Sequence, residues 1–196
     1  MEFEKARKYI LDRIEKELPS FLYYHSYTHV LDVYDSAQTL AALEGFTGED
    51  LTLLKTAALF HDAGFIIRLF DHEIVGCGIV RDTLPEFGYN QSQIDKICGM
   101  IMATKIPQTP HNKLEEIICD ADLDYLGRDD FNKIGNSLFR ELKHQGLINN
   151  EEDWNNLQLK FLSKHQYFTK SAKALRQATK EAHLLEIKKI VESYKH

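Results

Sequence analysis

The sequence predicts an all-α protein, and three observations carry that prediction. Apolar residues recur at helical spacing along nearly the whole chain, no stretch alternates apolar and polar as a half-buried strand would, and 196 residues contain only four prolines. Start and stop signals then divide the chain. A first helix over about 2–18 stops at Pro19, and a second from near Tyr27 to about Glu44 ends at Gly45. Thr47 is placed to cap a third over 48–63, with Asp50 in its first turn and Gly64 as terminator. Asp71 caps a fourth, which ends near Leu84 before Pro85, and Asn90 with Gln93 makes a capping box for a fifth over 91–104. The stretch "KIPQTPHNK" reads as a loop, and a sixth helix over 113–126 ends at Gly127. Helices over about 130–145, 151–163 and 169–194 complete the chain, the last with Ala172, Leu175, Ala182, Leu185 and Ile187 on one side and its charges in water.

No linker, low-complexity tract or repeat interrupts this pattern, so the reading is one domain over 1–196. A net charge of -6 argues against a nucleic-acid polymer or a membrane surface as the main partner, because both call for clustered Lys and Arg. Cys77, Cys98 and Cys119 form no CxxC pair and lie in apolar surroundings, which suits a reducing, cytoplasmic setting. The N-terminal "MEFEKARKYILDRIEKE" alternates charge and lacks the apolar stretch of a signal peptide. No apolar run approaches the roughly 18 residues of a membrane span.

Against this helical background a few ionisable residues sit on the wrong faces. His29 precedes Val33, Ala37 and Leu40 on the apolar stripe of the second helix, and His61 follows Leu54 and Ala57 on the third. Asp62 is adjacent to His61. In "LEEIICDADLDYLG", Glu116, Asp120 and Asp124 repeat every four residues as a stripe that the sequence assigns to water. Asp122 instead follows Leu114 and Ile118 and points to the core. Burying these ionisable groups separately costs several kcal/mol each. One divalent cation compensates all of them, since two imidazoles and two carboxylates make a suitable shell and two negative charges cancel its +2. Neighbouring helical residues project about 100° apart, so His61 and Asp62 reach one ion only if it lies beside the helix end near Gly64.

These residues resemble the signature of the HD-domain superfamily of metal-dependent phosphohydrolases: His29 in "YHSYTHVLDV", His61 and Asp62 in "LFHDAG", and Asp122 in "DADLDYLG". The similarity covers about residues 20–130 and implies an HD-like helical bundle there, with residues 131–196 as a C-terminal helical extension. A further family histidine is matched by His72 in "DHEIVG". The stretch "CGMIMATK" lacks the histidine that two-metal members carry, so one metal per chain is expected.

The resemblance implies hydrolysis of a phosphomonoester or phosphodiester, in a nucleotide or similar small molecule. His29, His61, Asp62 and Asp122 would bind the metal, with Asp62 also orienting or deprotonating water, and His72 with Glu73 passing a proton to the leaving oxygen. Open positions on an octahedral ion favour Mn, Fe, Co, Ni or Mg over closed tetrahedral zinc. Lys105, four residues beyond Ile101, and Arg68 in "GFIIRLF" are the candidates for neutralising substrate charge. His25, one turn before His29, either packs beneath that ligand or begins the helix, and His111 lies in the loop before the sixth helix. A non-catalytic metal- or nucleotide-binding module, and a di-iron oxygenase needing six ligands, are the alternative readings.

Overall fold

The computed structural model describes residues 1–195. Nine α-helices follow in chain order: α1 (Phe3–Glu17), α2 (Tyr27–Leu43), α3 (Gly48–Phe60), α4 (His72–Thr83), α5 (Gln91–Ala103), α6 (Lys113–Asp122), α7 (Phe131–His144), α8 (Glu151–Lys164) and α9 (Lys170–Ser193). Single 3-10 turns occupy Ala63–Ile66, Leu84–Phe87 and Asp124–Gly127, and no strand occurs among the described residues. The all-α fold expected from the sequence is the fold observed. No helix among the described residues is long and apolar enough to cross a membrane.

The apolar stripes read from the sequence build the main core. Val33, Ala37 and Leu40 of α2, Leu54 and Ala57 of α3 and Ile118 of α6 are all buried in it, each large aliphatic side chain contributing about 1.5–3 kcal/mol. Here α2 packs on α3 and α6, while α5 packs on α3, α4 and α6. A second cluster joins Tyr24 and Leu126 to Phe131 of α7, Leu162 of α8 and Ile187 and Val191 of α9. This cluster seats the C-terminal helices on the end of the bundle where α2 begins and α6 stops.

The structure differs from the sequence expectation where helices end. The third helix stops at Phe60 rather than 63, and Asp62 takes φ -101° and ψ 6° outside it. Gly64 therefore does not terminate a helix; a Cβ there would lie 1.9 Å from the carbonyl oxygen of His72, so glycine permits the 3-10 turn to touch the start of α4. The sixth helix likewise stops at Asp122, and a 3-10 turn replaces its expected last turn. Asn90 and Gln93 form the expected capping box. Asp71 and Thr47 sit at N-cap positions, but neither side chain caps; Asp71 takes a left-handed φ of 53° and gives its carboxylate to Lys105.

Three charged residues assigned to water are buried, Asp120 and Asp124 of the α6 stripe and Lys180 of α9, while Glu116 is half-buried and most charges of α9 are exposed as expected. Asp120 is fully buried and accepts hydrogen bonds from the Phe168 and Thr169 backbone N–H groups and from the Thr169 hydroxyl. Asp124 accepts two from the Arg176 guanidinium, at 2.7 and 3.0 Å. The expected apolar side of α9 is also rotated: Leu175 and Leu185 are exposed, whereas Ala172, Lys180, Ile187 and Val191 are buried. Lys180 donates to the His165 carbonyl at 2.6 Å, so its charge is held by the chain rather than by water. Each buried charge meets a partner distant in sequence: Asp120 meets the Phe168–Thr169 segment that leads into α9, Asp124 meets Arg176 of α9, and Lys180 meets the His165 carbonyl.

Candidate metal centre

Four helix termini meet at one point. His29 lies in the first turn of α2, where Ser26 caps the helix by accepting from the His29 N–H. His61 and Asp62 follow the end of α3, Asp122 is the last residue of α6, and His72 is the first of α4. His61 keeps helical backbone angles, φ -57° and ψ -39°, and so the inward phase of α3, whereas Asp62 departs from them, and His61 Nε2 lies 3.1 Å from Asp62 Oδ2. His29 Nε2 lies 3.4 Å from His61 Nε2, 3.5 Å from Asp62 Oδ2 and 3.2 Å from Asp122 Oδ1. Ligand atoms about 2.1 Å from a shared cation are separated by about 3.0–3.4 Å from their neighbours, so these spacings suit a metal shell.

The protonation pattern makes the same demand. His61 Nδ1 donates to the Ala58 carbonyl at 2.8 Å, which leaves Nε2 turned to the centre as an acceptor or ligand. Asp62 Oδ2 is buried with no hydrogen-bond donor among the described residues. A carboxylate oxygen and an imidazole lone pair at this separation repel unless something positive lies between them. With a proton as that charge, burial pushes His61 down, but Asp62 and Asp122 override it and lift the group to about 9. Burial likewise raises the Asp62 carboxyl, and the His61 and His72 imidazoles then draw it well below the usual range. His29, His61 and Asp122 each offer a ligand atom, all within 4.8 Å of one another, so these three could hold a metal ion, with Asp62 Oδ2 beside His61.

Around this centre the structure places the remaining candidates at different depths. His72 Nε2 is 3.4 Å from the other Asp62 oxygen, Oδ1, and 3.5 Å from Glu73 Oε1, while its ring stacks on Phe65. Lys105 is not brought to the ligands: its ammonium pairs with Asp71 at 2.7 Å on the exposed rim, and Arg68 approaches the same carboxylate at 3.9 Å. His111 is exposed. His25 lies outside α2 and projects into the cavity beside the centre, its ring 6.1 Å from both the His29 and the His72 rings.

Glu141 of α7 is the site-associated residue that sequence reasoning missed. It is buried, hydrogen-bonds His25 Nδ1, and accepts from the backbone N–H groups of Tyr24 and His25 at 2.8 and 3.1 Å. Burial lowers His25, but Glu141 and then the Asp62 charge reverse this and raise it above its ordinary value. The signal was available. Glu141 stands three residues beyond Leu138 on the stripe that includes Phe131 and Ile134, so it points inward by the argument that selected His29 and Asp122.

A cavity of about 400 Å³ opens from the centre, with Asp62, Asp122, His25 and His72 at one end and apolar side chains of α7 and α8 at the other. The C-terminal helices thus supply much of its wall.

Comparison with known proteins agrees with this architecture. No curated protein matches the chain. Among solved structures, Bacillus subtilis YpgQ in complex with ADP is 21% identical with a TM-score of 0.67, over 98% of this chain and 97% of that one. A Lactobacillus plantarum protein is 16% identical with a TM-score of 0.67, over 98% and 100% of the two chains. A predicted HD superfamily hydrolase from an uncultured Thermotogales bacterium is 17% identical with a TM-score of 0.64, over 97% and 92%. At these identities the likeness is one of fold. The sequence family described as HD domain matches residues 26–124, half of the chain and the stretch from the cap of His29 to just beyond Asp122, so this protein belongs to the HD-domain family.

Proposed function

We propose that the protein is a metal-dependent phosphohydrolase acting on a phosphomonoester or phosphodiester of a small molecule. The observation that carries this reading is the buried Asp62 Oδ2 without a donor, facing two imidazole nitrogens at the end of a ligand-sized cavity. His29, His61, Asp62 and Asp122 would hold one divalent ion, with Mn, Fe, Co, Ni and Mg the candidates. When bound, such an ion lowers the pKa of a coordinated water and draws charge from phosphoryl oxygens.

The chain's own residues do the rest. The Ala58 carbonyl fixes the His61 tautomer so that Nε2 faces the ion. Asp62 divides its two oxygens, Oδ2 toward the imidazole pair and Oδ1 toward His72, and so orients a water or takes its proton. His72, with buried Glu73 beside it, holds a proton for the leaving oxygen. The α3 and α6 C-termini favour a cation and the α2 and α4 N-termini favour an anion, which matches a metal–phosphate pair. Lys105 and Arg68, at the rim with Asp71, attract the anion rather than contact the reacting atoms.

The ADP held by the Bacillus subtilis structure supports nucleotides as the first class to assay. The test is phosphate release from a panel of nucleotides and cyclic dinucleotides with Mn, Co, Ni or Mg, in the wild type and in Asp62→Asn. Metal-dependent release that falls by about 100-fold or more in the variant is expected. Equal turnover by metal-free protein or by Asp62→Asn overturns the reading.

A further inference from the structure

We infer that the cavity beside the metal centre takes an aliphatic body, so that the ligand is an amphipathic phosphoester with a phosphoryl head at Asp62 and Asp122 and a hydrocarbon tail among α7 and α8. This deepens the phosphohydrolase reading and rests on it for the head group alone.

The lining is predominantly apolar, and outside the centre its polar members are Tyr24, Thr104, Tyr125, Trp154 and Gln158. Near the centre stand Asp62, Asp122, His25, His72 and Glu73; beyond them the wall is Leu126, Phe131, Leu138, Leu142, Trp154 and Phe161. None of the described lining residues is Lys or Arg. A nucleoside triphosphate would bring several negative charges to a wall with no guanidinium or ammonium, next to the carboxylates of Asp62, Asp122 and Glu73. A nucleobase in the apolar part would bury its ring nitrogens and exocyclic groups with few partners. Gln158 supplies the amide there, and its NH2 already donates to Asn155 at 3.1 Å. Leaving such groups unpaired costs about 1–3 kcal/mol each, whereas methylene groups gain by entering.

Ile106 lines the cavity and is 54% exposed, so an apolar side chain on the cavity wall also reaches water.

The test is calorimetric titration of the Mn-loaded protein with n-alkylphosphonates from ethyl to decyl, which bind without being hydrolysed. The affinity is expected to rise about threefold to fourfold per added methylene until the cavity fills. In Leu157→Glu, a change at a cavity-lining position that is 41% exposed, the series is expected to flatten. A flat series in the wild type, or AMP binding tighter than decylphosphonate, overturns the inference. Phosphate release from the matching alkyl phosphates tests the head-group chemistry separately. No release alongside a steep binding series contradicts the phosphohydrolase reading and leaves the cavity assignment standing, and release from nucleotides alongside a flat series does the reverse.

Discussion

Glu141 holds His25 across 116 positions of sequence, through its side chain and through the backbone on either side of the Tyr24–His25 peptide. Residues beyond the matched family segment therefore fix the start of the helix that carries His29. Replacing Glu141 by Gln removes the charge that raises His25 while keeping the volume. The expected cost is about 2 kcal/mol, or about 4–8 °C in Tm. The His25 ring proton, followed by NMR, should titrate at lower pH than in the wild type; an unchanged midpoint contradicts the role given to Glu141.

Gly64 tests the close approach between the 3-10 turn and α4. An alanine Cβ would meet the His72 carbonyl oxygen at 1.9 Å and the Gly76 nitrogen at 2.9 Å, both backbone atoms that rotamer changes cannot relieve. Gly64→Ala should lose about 3 kcal/mol in urea unfolding and should move His72 relative to Asp62. A variant of wild-type stability contradicts the approach.

Arg176 tests the seam between α9 and the turn after α6. Removing it leaves the buried Asp124 carboxylate with Arg128 at 3.5 Å and the Ser36 hydroxyl at 3.4 Å as remaining partners. Arg176→Leu should cost about 2–4 kcal/mol, and adding Asp124→Asn should recover part of that loss, because the uncompensated charge is gone. Strictly additive losses contradict the pairing.

His165 makes the fold acid-sensitive. Burial first, and then Lys180, lowers it from 6.5 to about 4, and neither ring nitrogen has a partner among the described residues. Between those pH values the unfolded chain holds more protons than the folded one, so stability rises with pH through this window. The contribution is complete above the unfolded value and is lost as pH falls toward about 4, amounting to about 3 kcal/mol. In His165→Phe the drop in urea midpoint between pH 7 and 4 should be smaller than in the wild type. Parallel curves contradict this.

Most of the bundle was legible in the sequence because apolar periodicity and capping chemistry are local: Val33, Ala37, Leu40 and the Asn90–Gln93 box are where they were expected. The inward phase of His29, His61 and Asp122 was legible for the same reason. What periodicity does not encode is which charged stripes meet. Asp120 and Asp124 look like solvent-facing residues until Thr169 and Arg176 arrive from some fifty positions later. Lys105 followed Ile101 inward by phase, yet Asp71 captures its ammonium at the rim, a long-range pairing that no spacing reveals. The ends of α3 and α6 were set too late because a helix pattern does not show that a terminal carboxylate is needed outside the helix, as Asp62 is.

The most direct measurement is titration of chelator-treated protein with Mn, in the wild type, Asp62→Asn and Asp122→Asn, by calorimetry and by thermal unfolding. The wild type should bind about one ion per chain. It should gain about 2.7 kcal/mol of stability at a hundredfold excess over Kd, and both variants should lose most of that gain. Equal binding and equal stabilisation in the two variants would show that these side chains do not share a cation.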